Sequence, residues 1–383
     1  MNRKQRRANQ STGQKAGDAV ALHADGVRAF LAGQLDKAAG LIARAIAANG
    51  QMPDFHYNLA IVLKAQGKLK PAAASYGHAI ALNPDYAEAH NNLGNIWKSL
   101  GQPDKARASF EHALRIKPGS PDTNYSLAVL CSEAGERAQA AAHLRTCLEQ
   151  DPGDARGAGI LLAHLGAGVA PDRTPPAQLL SLYDVRARFW DQEGTYFAAG
   201  LVADALRAHA PRAKLDILDI GCGTGLVGAA VRASARRLDG VDLSPAMLEK
   251  ARAKSVYDRL EQADILSFLA AHQGSYDAIL GAATLIHFGN LAALFQAAAA
   301  SLRENGLFVF TLFANQVDDS DFAVAASNRL AQSGCYAHSA AYVEHTAPQS
   351  GFAVLALEKI IHEQDQDGNP VAGLLAVLRR ETA

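Results

Sequence analysis

The 383-residue chain is 49% hydrophobic and 20% charged, the composition of a globular protein too long for one ordinary core, so two or three domains are expected. Its 37 Lys and Arg stand against 38 Asp and Glu, and a net charge of −1 excludes a global electrostatic drive toward nucleic acid or anionic lipid. No run of about 18 apolar residues exists to cross a membrane, and no apolar core follows the first residues as in a signal peptide, so a cytoplasmic protein with no membrane partner is expected. Cys131, Cys147, Cys222 and Cys335 show no C-x-x-C spacing and are expected as reduced thiols, and no metal site is expected. Residues 1–17 depart from the average, because Arg3, Lys4, Arg6, Arg7 and Lys15 precede any acid; a disordered basic tail is expected, with RNA or anionic surfaces as its alternative contacts.

From residue 18 to 154 the chain repeats itself. Gly33, Gly67, Gly101 and Gly135 recur at an interval of 34, as do Ala38, Ala72, Ala106 and Ala140. The same frame carries Ile42, Tyr76, Phe110 and Leu144, then Ala45, Ala79, Ala113 and Cys147, then Gly50, Pro84, Pro118 and Pro152. Small residues permit close helix crossing, the large one fills the gap, and Pro ends the second helix. These four units resemble tetratricopeptide repeats, with Leu59 and Leu93-Gly94 at the family's first-helix core positions. The resemblance implies a concave groove lined by the first helix of each unit, where Tyr57, Asn58, Asn91, Asn92, Asn95 and Tyr125 would hold a protein or peptide partner. Asn58 and Asn92 are equivalent positions, and in related arrays such asparagines bond an extended peptide backbone. The alternative is a spacer on which they are simply solvated. Residues 155–180 are expected as a capping helix, Asp154 to Leu165, and a linker.

The third region, 181–383, opens on Tyr183, Phe189 and Trp190, read either as a lid or as an aromatic helix packed on the linker. Lys214 to Ile220 is a short apolar run of buried-strand type, and the alternating glycines of Gly221-Cys222-Gly223-Thr224-Gly225 turn it into a helix near Leu226. Seventeen positions after Gly225, Asp242 closes a second apolar run, where a carboxylate can accept both hydroxyls of a ribose. Gly223-Thr224-Gly225-Leu226-Val227-Gly228 also spells a dinucleotide fingerprint, but Asp219 and Gly221 occupy the strand end where that fingerprint has its first glycine. Apolar runs around Ala263-Asp264-Ile265, Tyr276 to Gly281 and Gly306 to Leu312 alternate with helical segments, as in a parallel sheet. Phe352 to His362 and Val371 to Arg379 read as an antiparallel hairpin.

This region resembles a class I S-adenosylmethionine-dependent methyltransferase, and the whole chain resembles a bacterial group of methyltransferases containing tetratricopeptide repeats. The resemblance implies an all-α repeat solenoid followed by a Rossmann-like α/β domain of seven strands. It implies S-adenosylmethionine as cofactor: Asp219 and the backbone of Gly221, Gly223 and Gly225 on the methionine part, Asp242 on the ribose, Leu243 and Met247 on the adenine face, and Asp264 with the backbone of Ile265 on the adenine edge. His287 sits where substrate enters such folds, as a general base or as a packed ring. Tyr336 and His338 are candidates for the same pocket, against an ordinary Ser339 helix cap. Near Ala283, where related enzymes often carry an acid or asparagine, the polar contact is missing or replaced by Thr284; Cys335 stands where an Arg is common. The methyl acceptor is not specified. The other reading is a repeat scaffold whose methyltransferase domain senses cofactor or has lost activity.

Overall fold

The computed structural model describes residues 3–187, 190–192, 197–210, 214–315, 322–325, 333–364 and 368–381. They belong to two compact units, Met1–Gln150 and Asp151–Ala383.

The first unit is built from helix pairs: α1 (Arg3–Leu31) with α2 (Leu35–Ala48), α3 (Pro53–Ala65) with α4 (Leu69–Leu82), α5 (Ala87–Ser99) with α6 (Pro103–Ile116), and α7 (Pro121–Glu133) with α8 (Arg137–Gln150). Each pair turns on a glycine in the left-handed region, with φ of 74°, 75°, 68° and 77° at Gly33, Gly67, Gly101 and Gly135, which explains why glycine recurs there. The alanines at 38, 72, 106 and 140 are wholly buried, and Ile42, Tyr76, Phe110 and Leu144 fill the space beside them. A second tie repeats with the same period: His56 Nε2 donates to the Gly50 carbonyl and His90 Nε2 to that of Pro84, both at 3.0 Å, and Asn124 Nδ2 donates to that of Pro118 at 2.9 Å. The tail expected to be disordered instead continues α1 back to Arg3. Lys, Arg, Gln and Ala are good helix formers and no Pro interrupts them, so the helix nucleated by the first repeat propagates.

The second unit holds a sheet of nine strands among the described residues, in the order β3-β2-β1-β4-β5 with β9 and β8 beyond β5. The parallel strands are β1 (Leu215–Ile220), β2 (Ala235–Asp242), β3 (Arg259–Gln262), β4 (Tyr276–Gly281) and β5 (Leu302–Ala314). The expected hairpin is β8 (Phe352–Gln364) with β9 (Pro370–Arg380), and β9 runs antiparallel to β5. One apolar layer packs Val202, Leu206 and Val227 on one face, and another packs Phe268, Phe295 and Val343 on the opposite face.

The sequence reading did not include two further strands, β6 (Phe322–Val324) and β7 (Tyr336–His338). Phe313 pairs with Gly373 of β9 on one side and with Ala337 of β7 on the other. Since β4 ends at Gly281, opposite Phe310, β7 takes the edge of β5 that β4 vacates. Three-residue strands carry too little periodicity to be read in advance. The first helices of this unit are α9 (Ala158–His164), α10 (Pro176–Arg186) and α11 (Ala198–His209). The helix expected to cap the repeats, α9, therefore lies in the second unit, whose boundary falls after Gln150. No helix among the described residues is long and apolar enough to cross a membrane.

Candidate functional site

Register places the carboxyl ends of three strands side by side: Ile220 of β1 pairs Val241 of β2, and Asp219 pairs Leu280 of β4. Strand order, not chain direction, reverses between the parallel strands β1 and β4, and such a crevice is where open α/β sheets bind ligands. A cavity lies there, and its wall includes Gly221, Gly223, Asp242, Leu243, Met247, Asp264, Ile265 and His287, eight of the residues singled out from the sequence.

Gly221 stands at φ 63°, and a Cβ on it would lie 2.5 Å from Thr284 Oγ1, so both backbone geometry and space demand glycine. Thr284 itself donates its hydroxyl to the Ile220 carbonyl at 2.9 Å; it supports the glycine turn. The Asp242 carboxylate is held by two backbone donors, Gly223 N on Oδ2 and Ser244 N on Oδ1, each at 2.8 Å. Each oxygen keeps a further lone pair, the arrangement needed to accept two vicinal hydroxyls. Ser244 caps α13 (Pro245–Lys254), accepting from Met247 N at 3.1 Å and thereby fixing Met247 on the cavity wall.

Asp219 and Gly225 are not on the wall. Asp219 is 1% exposed, and its Oδ2 accepts the Tyr257 hydroxyl at 2.6 Å. Burial pushes its pKa up to about 7, and the neighbouring Asp242 adds to the rise. No cation pairs with it among the described residues. Asp264 caps α14 (Ile265–Ala271) and forms an ion pair with Arg173 at 2.7 Å.

The residues before β1 close the cavity. Arg173, Thr174, Leu179, Tyr183 and Trp190 lie on its wall. Thr174 N donates to the His287 carbonyl at 2.8 Å, Ser244 Oγ to Asp184, and Thr224 Oγ1 and Lys254 Nζ to Asp191. The expected linker, through Thr174, and the segment read as a lid, through Asp184 and Asp191, thus form a strap tied down beside the glycine turn. Tyr183 and Trp190 meet edge to face at 5.7 Å, in keeping with the lid reading, while Phe189 lies outside the described residues. Arg173 and Tyr257 were missed because neither falls in a motif and their partners are remote in sequence.

His287 is buried, 6% exposed, at the cavity wall. Its Nδ1 lies 3.0 Å from the Gly334 carbonyl and its Nε2 2.6 Å from the Tyr183 hydroxyl. A carbonyl only accepts, so Nδ1 carries the proton and Nε2 accepts from Tyr183. Burial lowers the ring to about 4, leaving it neutral near pH 7. Tyr336 and His338 do not join it. Tyr336 donates to the Pro171 carbonyl at 2.7 Å, and His338 Nε2 to that of Gly289 at 2.8 Å; neither is on the cavity wall. They sit in β7, whose backbone pairing turns both rings into buried supports. Ser339 caps α16 (Ala340–Gln349) through Tyr342 N, and Cys335 packs with Ile286, Phe313 and Ala337, its thiol pushed up to about 12 by burial.

In the repeat unit, Asn58 Nδ2 lies 2.8 Å from His23 Nε2, and Asn92 Nδ2 donates to the Tyr57 hydroxyl at 2.9 Å. Both bonds span 35 residues, so the asparagine ladder links each first helix to the one before. Tyr57 stacks on Tyr86 at 4.8 Å, while Asn91, Asn95 and Tyr125 are half-buried on α5 and α7.

Comparison with known proteins finds a separate match for each half, the repeat match running past Gln150 through α9. A profile described as a methyltransferase domain matches residues 189–357, and tetratricopeptide repeat profiles match 26–77, 62–101 and 98–165. The chain combines tetratricopeptide repeats with a methyltransferase domain. It is 40% identical over 111 residues to Methyltransferase-like protein 27 of Homo sapiens, covering 27% of this chain and 45% of that protein. It is 28% identical over 144 residues to the Ubiquinone biosynthesis O-methyltransferase of Nitrosococcus oceani, covering 36% and 61%. A solved S-adenosylmethionine-dependent methyltransferase from Mesorhizobium loti matches at 25% identity with a TM-score of 0.36, covering 46% of this chain and 96% of that one. The chain thus spans less than two thirds of the length of both named relatives.

Proposed function

We propose that the protein transfers a methyl group from S-adenosylmethionine to an acceptor, and that its repeat groove holds a protein partner or peptide substrate. The observation that carries the first half is Asp242: a carboxylate at the tip of β2, fixed by two backbone N–H groups and facing a glycine turn that no side chain could replace. When bound, S-adenosylmethionine supplies an electrophilic methyl on a sulfonium. The protein's task is then to hold the acceptor in line, roughly 3 Å from that carbon. Asp242 is assigned to the ribose, Leu243 and Met247 to the adenine face, and the buried Asp219, which has no cationic side chain beside it among the described residues, to the methionine ammonium. Asp264 with Ile265 is assigned to the adenine edge, with Arg173 orienting the carboxylate.

Support for the groove is the repeat fold together with Tyr57, Asn91, Asn95 and Tyr125 on the first helices. Asn58 and Asn92 each commit one N–H to the preceding repeat, and the rest of each amide is assigned to the partner. The scaffold reading rests on Tyr336 and His338, whose polar atoms are spent on carbonyls. Incubation of cell extract with methyl-labelled cofactor separates the two: labelled product that disappears in Asp242→Ala supports transfer, and none above the variant's background supports the scaffold.

A further inference from the structure

The hydroxyl of Tyr183 and the imidazole of His287 share the cavity wall with Asp242 and Gly221. Their hydrogen bond has only one polarity, because His287 Nδ1–H is committed to Gly334 and Nε2 must accept. Tyr183 therefore spends its proton on His287 and offers the cavity only oxygen lone pairs. What such an oxygen recognises is a donor.

We propose that Tyr183 and His287 form a two-step proton relay and that the acceptor is a hydroxyl group, an inference that rests on the methyltransferase reading. The acceptor O–H donates to Tyr183 Oη. As the acceptor oxygen bonds to the methyl carbon, the carbon–sulfur electron pair leaves with sulfur, the acceptor's proton passes to Tyr183 Oη, and the proton of Tyr183 passes to His287 Nε2. The products are a methyl ether, a neutral thioether and an imidazolium that later returns its proton to water. One positive charge leaves sulfur as one arrives on the ring, so the enclosed site never gains net charge. The Gly334 carbonyl accepts from Nδ1–H throughout and steadies the imidazolium.

The polarity of the two hydrogen bonds calls for an acceptor that donates its own proton to Tyr183 Oη as it reacts, and the weak basicity of the ring agrees with a hydroxyl in that place. Burial holds His287 at about 4, with Arg186 nearby also opposing protonation. An alkylammonium, with a pKa of about 10, has to lose its proton before it attacks, and so weak a base cannot take it. A hydroxyl keeps its proton until the new bond forms, when the oxygen becomes cationic and more acidic than any imidazolium. Weakness is then no handicap.

The test uses the full chain. Calorimetry first establishes S-adenosylhomocysteine binding; its absence defeats the methyltransferase reading itself, a result distinct from those that follow. In 15N-histidine-labelled protein, His287, assigned by loss of its signals in His287→Gln, is expected as the neutral Nδ1–H tautomer. Its Nε2 signal should move downfield in Tyr183→Phe, as when an imidazole nitrogen loses a hydrogen bond. With tritiated methyl donor and cell extract, label should be recovered as methyl ether, and Tyr183→Phe should lower incorporation roughly 100-fold or more. An Nε2–H tautomer, an Nε2 signal unmoved in Tyr183→Phe, label in N-methyl groups, or full incorporation by Tyr183→Phe would each overturn the relay.

Discussion

Strand β1 carries a buried carboxylate near each end, and the two have opposite environments. Asp216 accepts from Arg236 at 2.5 and 2.8 Å and from Arg303 at 3.0 Å, and these partners hold its pKa at about 2. Asp219, three residues on, meets the Tyr257 hydroxyl, and burial raises it to about 7. The first is a finished ion cluster tying β1, β2 and β5 together at the amino end of the sheet. The second is a buried acid without an ion-pair partner among the described residues, which the proposal assigns to a ligand's ammonium. The comparison teaches which end of a parallel sheet is spent on stability and which is held for a ligand.

The largest expected effect falls beside Asp219. Asp242→Ala removes charge-assisted bonds of about 1.5–3 kcal/mol each, partly offset by desolvation. S-adenosylhomocysteine binding should weaken roughly 10- to 1,000-fold by calorimetry.

At the other end, Asp216→Ala should cost stability and leave cofactor affinity alone. Asp216 is buried, but Arg236 and Arg303 reach solvent, so a discounted loss of about 1–3 kcal/mol is expected in urea unfolding. Because the folded pKa of Asp216 lies below the unfolded one, its contribution is present above about pH 4 and is lost as pH falls through about 2. The gap between variant and wild type should close over that range.

Asp219 carries the opposite sign. With its folded pKa raised to about 7, its contribution is present below about pH 4 and is lost as pH rises through about 7. Asp219→Asn should therefore melt higher than wild type at pH 8 and equally at low pH, yet bind S-adenosylhomocysteine more weakly. Equal melting at pH 8 would break the comparison.

The smallest effect belongs to the repeats. Asn92→Ala removes one inter-repeat bond to Tyr57, worth about 1 kcal/mol in thermal unfolding, and should not alter cofactor affinity.

The sequence made legible whatever is local or periodic: the 34-residue frame that buries Ala38, Ala72, Ala106 and Ala140, the glycine turn after β1, and Asp242 at the tip of β2. Pairs between remote segments leave no local pattern. Arg173 meets Asp264 across 91 residues and Tyr183 meets His287 across 104, so the strap and the Tyr183–His287 bond became visible only in three dimensions. Tyr336 and His338 were misplaced for a related reason: a polar aromatic pair beside a helix start looks alike whether its polar atoms face a ligand or a backbone carbonyl.

The central claim is that the crevice at the carboxyl ends of β1, β2 and β4 holds S-adenosylmethionine through Asp242, and titration of S-adenosylhomocysteine into the full chain and its Asp242→Ala variant tests it most directly. The account predicts saturable binding by the wild type, weakened roughly 10- to 1,000-fold in the variant. No binding at millimolar ligand by folded protein, or equal affinity in both, would contradict it.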